Sequence, residues 1–136
     1  MVVIGGGAIG CEVAELLAER GNKVTIVELL NEMAGKLSFM SRNFLLCNLA
    51  KKGVAMVTGA RCEQIAGEGL IITSRRGRQQ TISADTVVIA AGSTPNRSLA
   101  MELEGKVKSL YVIGDCVEPW RIANAVEEGF RIGSEL

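Results

Sequence analysis

Gly5, Gly7 and Gly10 stand at G-x-G-x-x-G spacing directly behind a short apolar run, Val2-Val3-Ile4. A helical pattern starts at once behind them, then a second apolar run, Val24-Thr25-Ile26-Val27, which ends in Glu28. Few folds accept that order. Gly5 permits a tight strand-to-helix turn, Gly7 leaves bare backbone that a pyrophosphate can approach, and Gly10 lets the helix pack closely on the strand. The first-turn N–H groups near Ala8 and Ile9 are unpaired donors at the positive end of the helix dipole. Glu28 lies in the window, roughly 20 residues on, where a carboxylate accepts from the ribose hydroxyls of an adenosine. A plain turn without a ligand would leave that acid with no task. Leu29 and Leu30 follow it, with no Arg or Lys to meet a 2′-phosphate, which favours NAD over NADP.

The rest of the chain extends the same alternation. Ile9, Val13, Leu16 and Leu17 recur at helical spacing, with Glu12, Glu15, Glu19 and Arg20 on the wet side and Gly21 as a left-handed cap. A second helix, capped by Ser38 or Ser41, carries Phe44, Leu45, Leu46 and Leu49. Lys51 and Lys52 suit its last turn and Gly53 stops it. Val54 to Thr58 reads as a third parallel strand. Arg61–Ala66, Leu70–Ser74 and Gln79–Ile82 are then too closely spaced for helices, so they predict an antiparallel meander. The basic turn Arg75-Arg76-Gly77-Arg78 reads as a solvated hairpin tip, since no aromatic residues accompany it. Thr86 to Ala91 predicts a strand buried on both faces, ending in Gly92 at the same sheet edge as Gly7. A ligand-lining role and a plain turn glycine fit Gly92 equally. Residues 98–108 read as irregular, Leu110–Ile113 as one more strand, and the segment from Pro119 as a helix.

These elements fill 136 residues, one domain's worth of chain, with formal charge zero. Zero net charge gives no basic field for nucleic acid. No run approaches the length of a membrane span, and no signal peptide precedes the first strand. Cys11, Cys47, Cys62 and Cys116 lack metal or redox spacing and suggest reduced thiols in a cytoplasmic setting. Histidine is absent, so acid–base chemistry lacks its usual agent. No catalytic residue and no metal ligand is assigned. A start directly on the first strand and a stop inside a helical pattern suggest a piece of a longer polypeptide.

In this order the Gly-rich turn, Glu28, the meander, Ala90-Ala91-Gly92-Ser93-Thr94-Pro95-Asn96 and Ile113-Gly114-Asp115-Cys116-Val117-Glu118-Pro119 resemble the second dinucleotide-binding domain of the FAD/NAD-linked pyridine nucleotide-disulfide oxidoreductases. The narrower likeness is to the C-terminal part of the NADH:flavin oxidoreductases related to old yellow enzyme, the group of 2,4-dienoyl-CoA reductase and trimethylamine dehydrogenase. The resemblance implies an α/β, Rossmann-like parallel sheet with helices on both faces and a three-stranded antiparallel meander crossover. It implies an NAD(H)-binding domain over residues 1–106 and a segment, 107–136, that returns to an FAD-binding domain. Gly5, Gly7, Ala8, Ile9, Gly10, Glu28 and Gly92 would meet NAD. Glu12 would lie near the nicotinamide, although spacing alone makes it an exposed helix residue. Asp115 would contact FAD. FMN and a four-iron cluster belong to parts this sequence lacks, and no cysteine run here could hold such a cluster. The expected partners are NADH and the remainder of the polypeptide, with a homo-oligomer possible and neither nucleic acid nor membrane. Two rivals stay open: the turn holds the ADP half of FAD, or the fold is a vestigial scaffold with an empty site.

Overall fold

The computed structural model describes residues 1–136 as two compact units, Met1–Gly92 and Ser93–Leu136. In the first, strands β1 (Val2–Ile4), β2 (Thr25–Val27), β3 (Ala55–Val57) and a later strand, β7 (Val87–Ile89), form one parallel sheet in the order β3-β2-β1-β7. The meander β4 (Ala60–Ala66), β5 (Gly69–Ser74) and β6 (Gln79–Ser83) is a separate antiparallel sheet. It carries the chain from the β3 edge to the opposite edge. Strand order therefore reverses at β1, and ligands of open α/β sheets sit at such a reversal, beyond the carboxyl ends of the strands.

Alternation along β1 and β2 assigns the two faces. Val3 and Ile26 face one side, where they pack with Cys11 and Ala14 of α1 (Ala8–Glu19) and Leu45 and Leu49 of α2 (Phe39–Lys51). Val2 and Val27 face the other, against Ala60, Leu70 and Ile72 of the meander. The α/β class and the meander are as expected, but one detail differs. Helices do not cover both faces in this unit. Both crossovers, β1 to β2 and β2 to β3, step the same way across the sheet and so deposit both helices on one side. Lys52 at the end of α2 holds Glu15 and Glu19 of α1 at 2.9 and 3.4 Å.

The buried face of α1 also differs from the periodic reading. Gly10, Cys11 and Ala14 point inward, while Ile9 is 67% exposed and Leu16 47%. Small side chains let the helix axis come close to β1. The larger ones fit only where there is room. β7 departs too: it is an edge strand with β1 alone beside it, and Ile89 is 68% exposed. Ser38 caps α2 by accepting from the Ser41 N–H, and Gly21 and Gly53 close the two helices with positive φ.

In the second unit, residues 98–103 form a short helix, α3 (Ser98–Leu103), where irregular chain was expected. The Asn96 side-chain Oδ1 accepts from both the N–H and the hydroxyl of Ser98, which starts that turn. Leu110–Ile113 is not a strand, because the unit holds no second strand to complete a ladder. A single 3-10 turn follows at Gly114–Cys116, then α4 (Ile122–Glu135). Along α4, Ile122, Val126 and Phe130 recur every four residues and all three are exposed. No helix of either unit is long and apolar enough to cross a membrane.

Candidate dinucleotide site

The three motif glycines have three different surroundings. Gly5 has φ +105°, and a Cβ there would run into the Ala90 carbonyl oxygen. Gly10 is buried, and a Cβ there would run into the Gly5 carbonyl oxygen. These two are consumed by packing: β1, α1 and the end of β7 meet with nothing between them but backbone. Gly7 is exposed and has no atom within 4 Å of where its Cβ would stand. Behind it α1 begins without a side-chain cap and without an acid in its first turn. The amides of Ala8 and Ile9 have no acceptor within the chain, as expected of a helix N-terminus. An uncapped helix start with open space over the backbone is a place for an anion.

Glu28 follows β2 and turns back into that same feature. Its Oε2 accepts from the Gly6 N–H at 2.6 Å, and its Oε1 accepts from the Leu30 N–H at 2.7 Å. The acid thus holds the Gly-rich turn and the chain leaving β2 in one grip. Gly92 lies two residues beyond Ala90 at the same edge, with φ +109° and open space at its Cβ position. The turn, Glu28 and Gly92 therefore gather at the carboxyl edge of one sheet. Glu12 is exposed on α1, one turn behind Ala8. Asp115 belongs to the other unit, exposed, and accepts from the Trp120 N–H only at 3.5 Å. There Gly114, with φ +70°, donates to the Glu128 carboxylate at 2.6 Å, and Arg97 bonds the carbonyls of Cys116 and Val117 at 3.1 Å each.

Sequence reasoning passed over the middle glycine. Gly6 is buried and serves as the junction of the turn. Its N–H goes to Glu28, its carbonyl accepts from Ala34 N–H at 2.6 Å, and the Cys11 thiol contacts the same carbonyl at 3.5 Å. A Cβ on it would strike Met33, which is 97% buried. The loop from 29 to 37, which has no clear pattern in sequence, is thus the floor of the turn, pinned by Arg42 through the Met33 carbonyl at 2.7 Å. The only signal for this was an unexplained glycine in the middle of three in a row.

Glu28 also colours its neighbours. Burial, and then the charges of Glu28 and Glu12, push the Cys11 thiol up to about 11. Cys62, on β4, is raised too, by burial first and then by Glu28 and Glu63. Cys11 is therefore a packed thiol, not a nucleophile. In a maleimide pulse at pH 8, exposed Cys47 is expected to label within minutes and Cys11 only on unfolding, as read by mass spectrometry of the digested chain. A thiol whose pKa is raised in the folded state adds stability that is intact below the unfolded value, 9.0, and is lost as pH climbs toward 11. Cys11→Ala should flatten that part of the stability profile.

A broader open cleft lies beside the β4–β5 turn, lined by Gly67, Glu68, Ser83 and Asp85. It sits at the amino end of β7, the wrong edge for a ligand of this sheet type.

Comparison with known proteins now decides the family. The model of the pyridine nucleotide-disulphide oxidoreductase family matches residues 1–129. The chain belongs to that family. The "NADH oxidase" of Thermoanaerobacter brockii is 38% identical over all of this chain, which covers 21% of that protein. The "bilirubin reductase" of Mediterraneibacter gnavus is 37% identical, again over all of the chain and 21% of the relative. A solved 2-naphthoyl-CoA reductase superposes with a TM-score of 0.92 at 28% identity, over 99% of this chain and 21% of that one. The chain thus spans about one fifth of the length of the relatives it matches. Family and relatives together make it a nucleotide-binding domain of the kind found in NADH:flavin oxidoreductases.

Proposed function

We propose that this family member binds NADH and orients it for hydride transfer to FAD. The observation that carries the reading is the open backbone at Gly7, set between the free amides of Ala8 and Ile9 and the carboxylate of Glu28. The pyrophosphate rests on that backbone, and Glu28 accepts from the adenosine ribose. Gly10 keeps the helix tip close to β1, and Gly92 leaves room on the far side of the cleft. Glu12, exposed just behind the helix tip, stands toward the nicotinamide half. NADH supplies the hydride, so the chain's own contribution is binding and orientation. No side chain here is assigned a proton to move.

Residues 1–106 form the NAD(H) part in this reading, and residues 107–136 the part that meets FAD through Asp115. The exposed stripe of Ile122, Val126 and Phe130 on α4 supports a packing partner. That partner is the remainder of a longer polypeptide, in keeping with the fivefold greater length of the relatives. FMN and an iron–sulfur cluster belong to that remainder.

Gly7→Ala tests the reading. Its φ of −67° suits alanine and the added methyl touches nothing in the protein, so the melting temperature should stay put. The methyl would stand where the diphosphate lies, so calorimetric affinity for NADH should fall about tenfold, the equivalent of ~1.4 kcal/mol. Undiminished affinity in this variant would remove the diphosphate from Gly7. No binding to the wild-type chain would end the proposal.

A further inference from the structure

The chain immediately after Glu28 carries two leucines and no cation, yet the fold brings an arginine to that place from 45 residues away in sequence. The β4–β5 ladder begins beside the end of β2. Ala60 N–H donates to the Glu28 carbonyl at 3.0 Å, and Gly59 N–H donates to the Leu30 carbonyl at 2.8 Å. Ala60 pairs with Ser74, and the Arg75 N–H donates to the Gly59 carbonyl at 3.1 Å. The Arg75 side chain then lies flat across Gly59. Its Cδ is 3.3 Å, and its Cγ and Nε 3.4 Å, from where a Gly59 Cβ would be. Gly59 has φ +64° and no side chain to push the arginine away. The guanidinium forms no ion pair, although it is exposed and charged. Arg75 is thus an exposed residue of the β5–β6 turn whose stem nonetheless packs on the protein. Its aliphatic stem is laid down on Gly59, just before β4, and Gly59 and Ala60 bond the backbone carbonyls of Leu30 and Glu28.

We propose that Arg75 forms one wall of the adenine subsite, offering its guanidinium plane as a stacking surface for the base whose ribose Glu28 holds. This rests on the nucleotide reading above. A planar, weakly hydrated cation is suited to the face of an aromatic ring, and an ammonium is not equivalent. Gly59 has a matching role: its missing side chain lets the arginine stem lie close against the backbone.

The test is a calorimetric titration of the whole chain with NADH, with ADP-ribose and with NADPH. Arg75→Ala is expected to weaken NADH and ADP-ribose alike, by about fivefold. Arg75→Lys, which keeps the charge and loses the plane, should recover less than half of that. Arg76→Ala, at the neighbouring position of the same turn, should match the wild type. Wild-type affinity in Arg75→Ala overturns the wall. So does full rescue by lysine with a loss confined to NADPH, which would make Arg75 a phosphate reader. If the wild type binds neither NADH nor ADP-ribose, the nucleotide reading itself fails, and Arg75 with it.

Discussion

Gly10→Ala is expected to cost about 3 kcal/mol of folding free energy, at the upper end of what overpacking does in a rigid setting. Two effects compete. Alanine is the better helix former by about 1 kcal/mol, so on an isolated helix the change would stabilise. Here the new methyl is aimed at the Gly5 carbonyl oxygen, with Ala90 Cβ a further 3.4 Å contact. Gly5 cannot retreat. Its N–H is tied to the Val27 carbonyl at 2.8 Å, and the Ala90 carbonyl fills the space on its other side. Ala90 is itself tied to Ile4 at 2.7 Å. Relief must come from moving α1 outward as a body, which opens the contacts of Cys11 and Ala14 with the sheet. Urea unfolding followed by circular dichroism measures the effect, with Gly7→Ala as the control that leaves stability alone. A gain in stability for Gly10→Ala would show that α1 does not lie on β1 at this distance.

That contrast explains how much of the molecule was legible in advance. The glycine spacing and the acid some 20 residues on constrain backbone, and backbone constraints are local. So the turn, α1, β2 and the capping of both helices could be read directly. The meander was legible for the same reason, since its turns are short and its strands alternate. Faces were less legible. Ile9 and Leu16 look like core by periodicity, but the inward stripe is Gly10, Cys11 and Ala14. Hydrophobicity ranks residues by transfer energy, whereas a helix crossing a strand at close range selects for size. Residues 110–113 failed for another reason: a strand is a relation between two segments, and no propensity in one segment supplies the other. Met33, Ala34 and Arg75 lay beyond reach because they come to the site by long-range folding. No cation follows Glu28 along the chain, and the guanidinium of Arg75 comes from a distant strand end.

Glu28→Ala is expected to lower affinity for NADH about a hundredfold, the loss of two charge-assisted hydrogen bonds worth ~1.5 kcal/mol each. The number follows from counting lone pairs. An ionised carboxylate offers about four acceptor positions, two on each oxygen. The protein uses one on each, for Gly6 N–H and Leu30 N–H, and leaves one on each for the two ribose hydroxyls. The same side chain therefore shapes the turn and grips the ligand, and the substitution harms both. Gly6 is buried, so its N–H would be left without a partner and the folded state should weaken by roughly 1–3 kcal/mol. Glu28→Gln separates the two roles. The amide keeps one acceptor oxygen but sets an NH2 against a backbone donor, so one of the two internal bonds becomes a clash. It should bind NADH between wild type and Glu28→Ala, with a stability loss smaller than that of alanine. Calorimetry with NADH, run beside thermal melts of each variant, resolves the pair of effects. Affinity within twofold of wild type in Glu28→Ala would mean that the acid only braces the turn, and that the ribose is held by other groups.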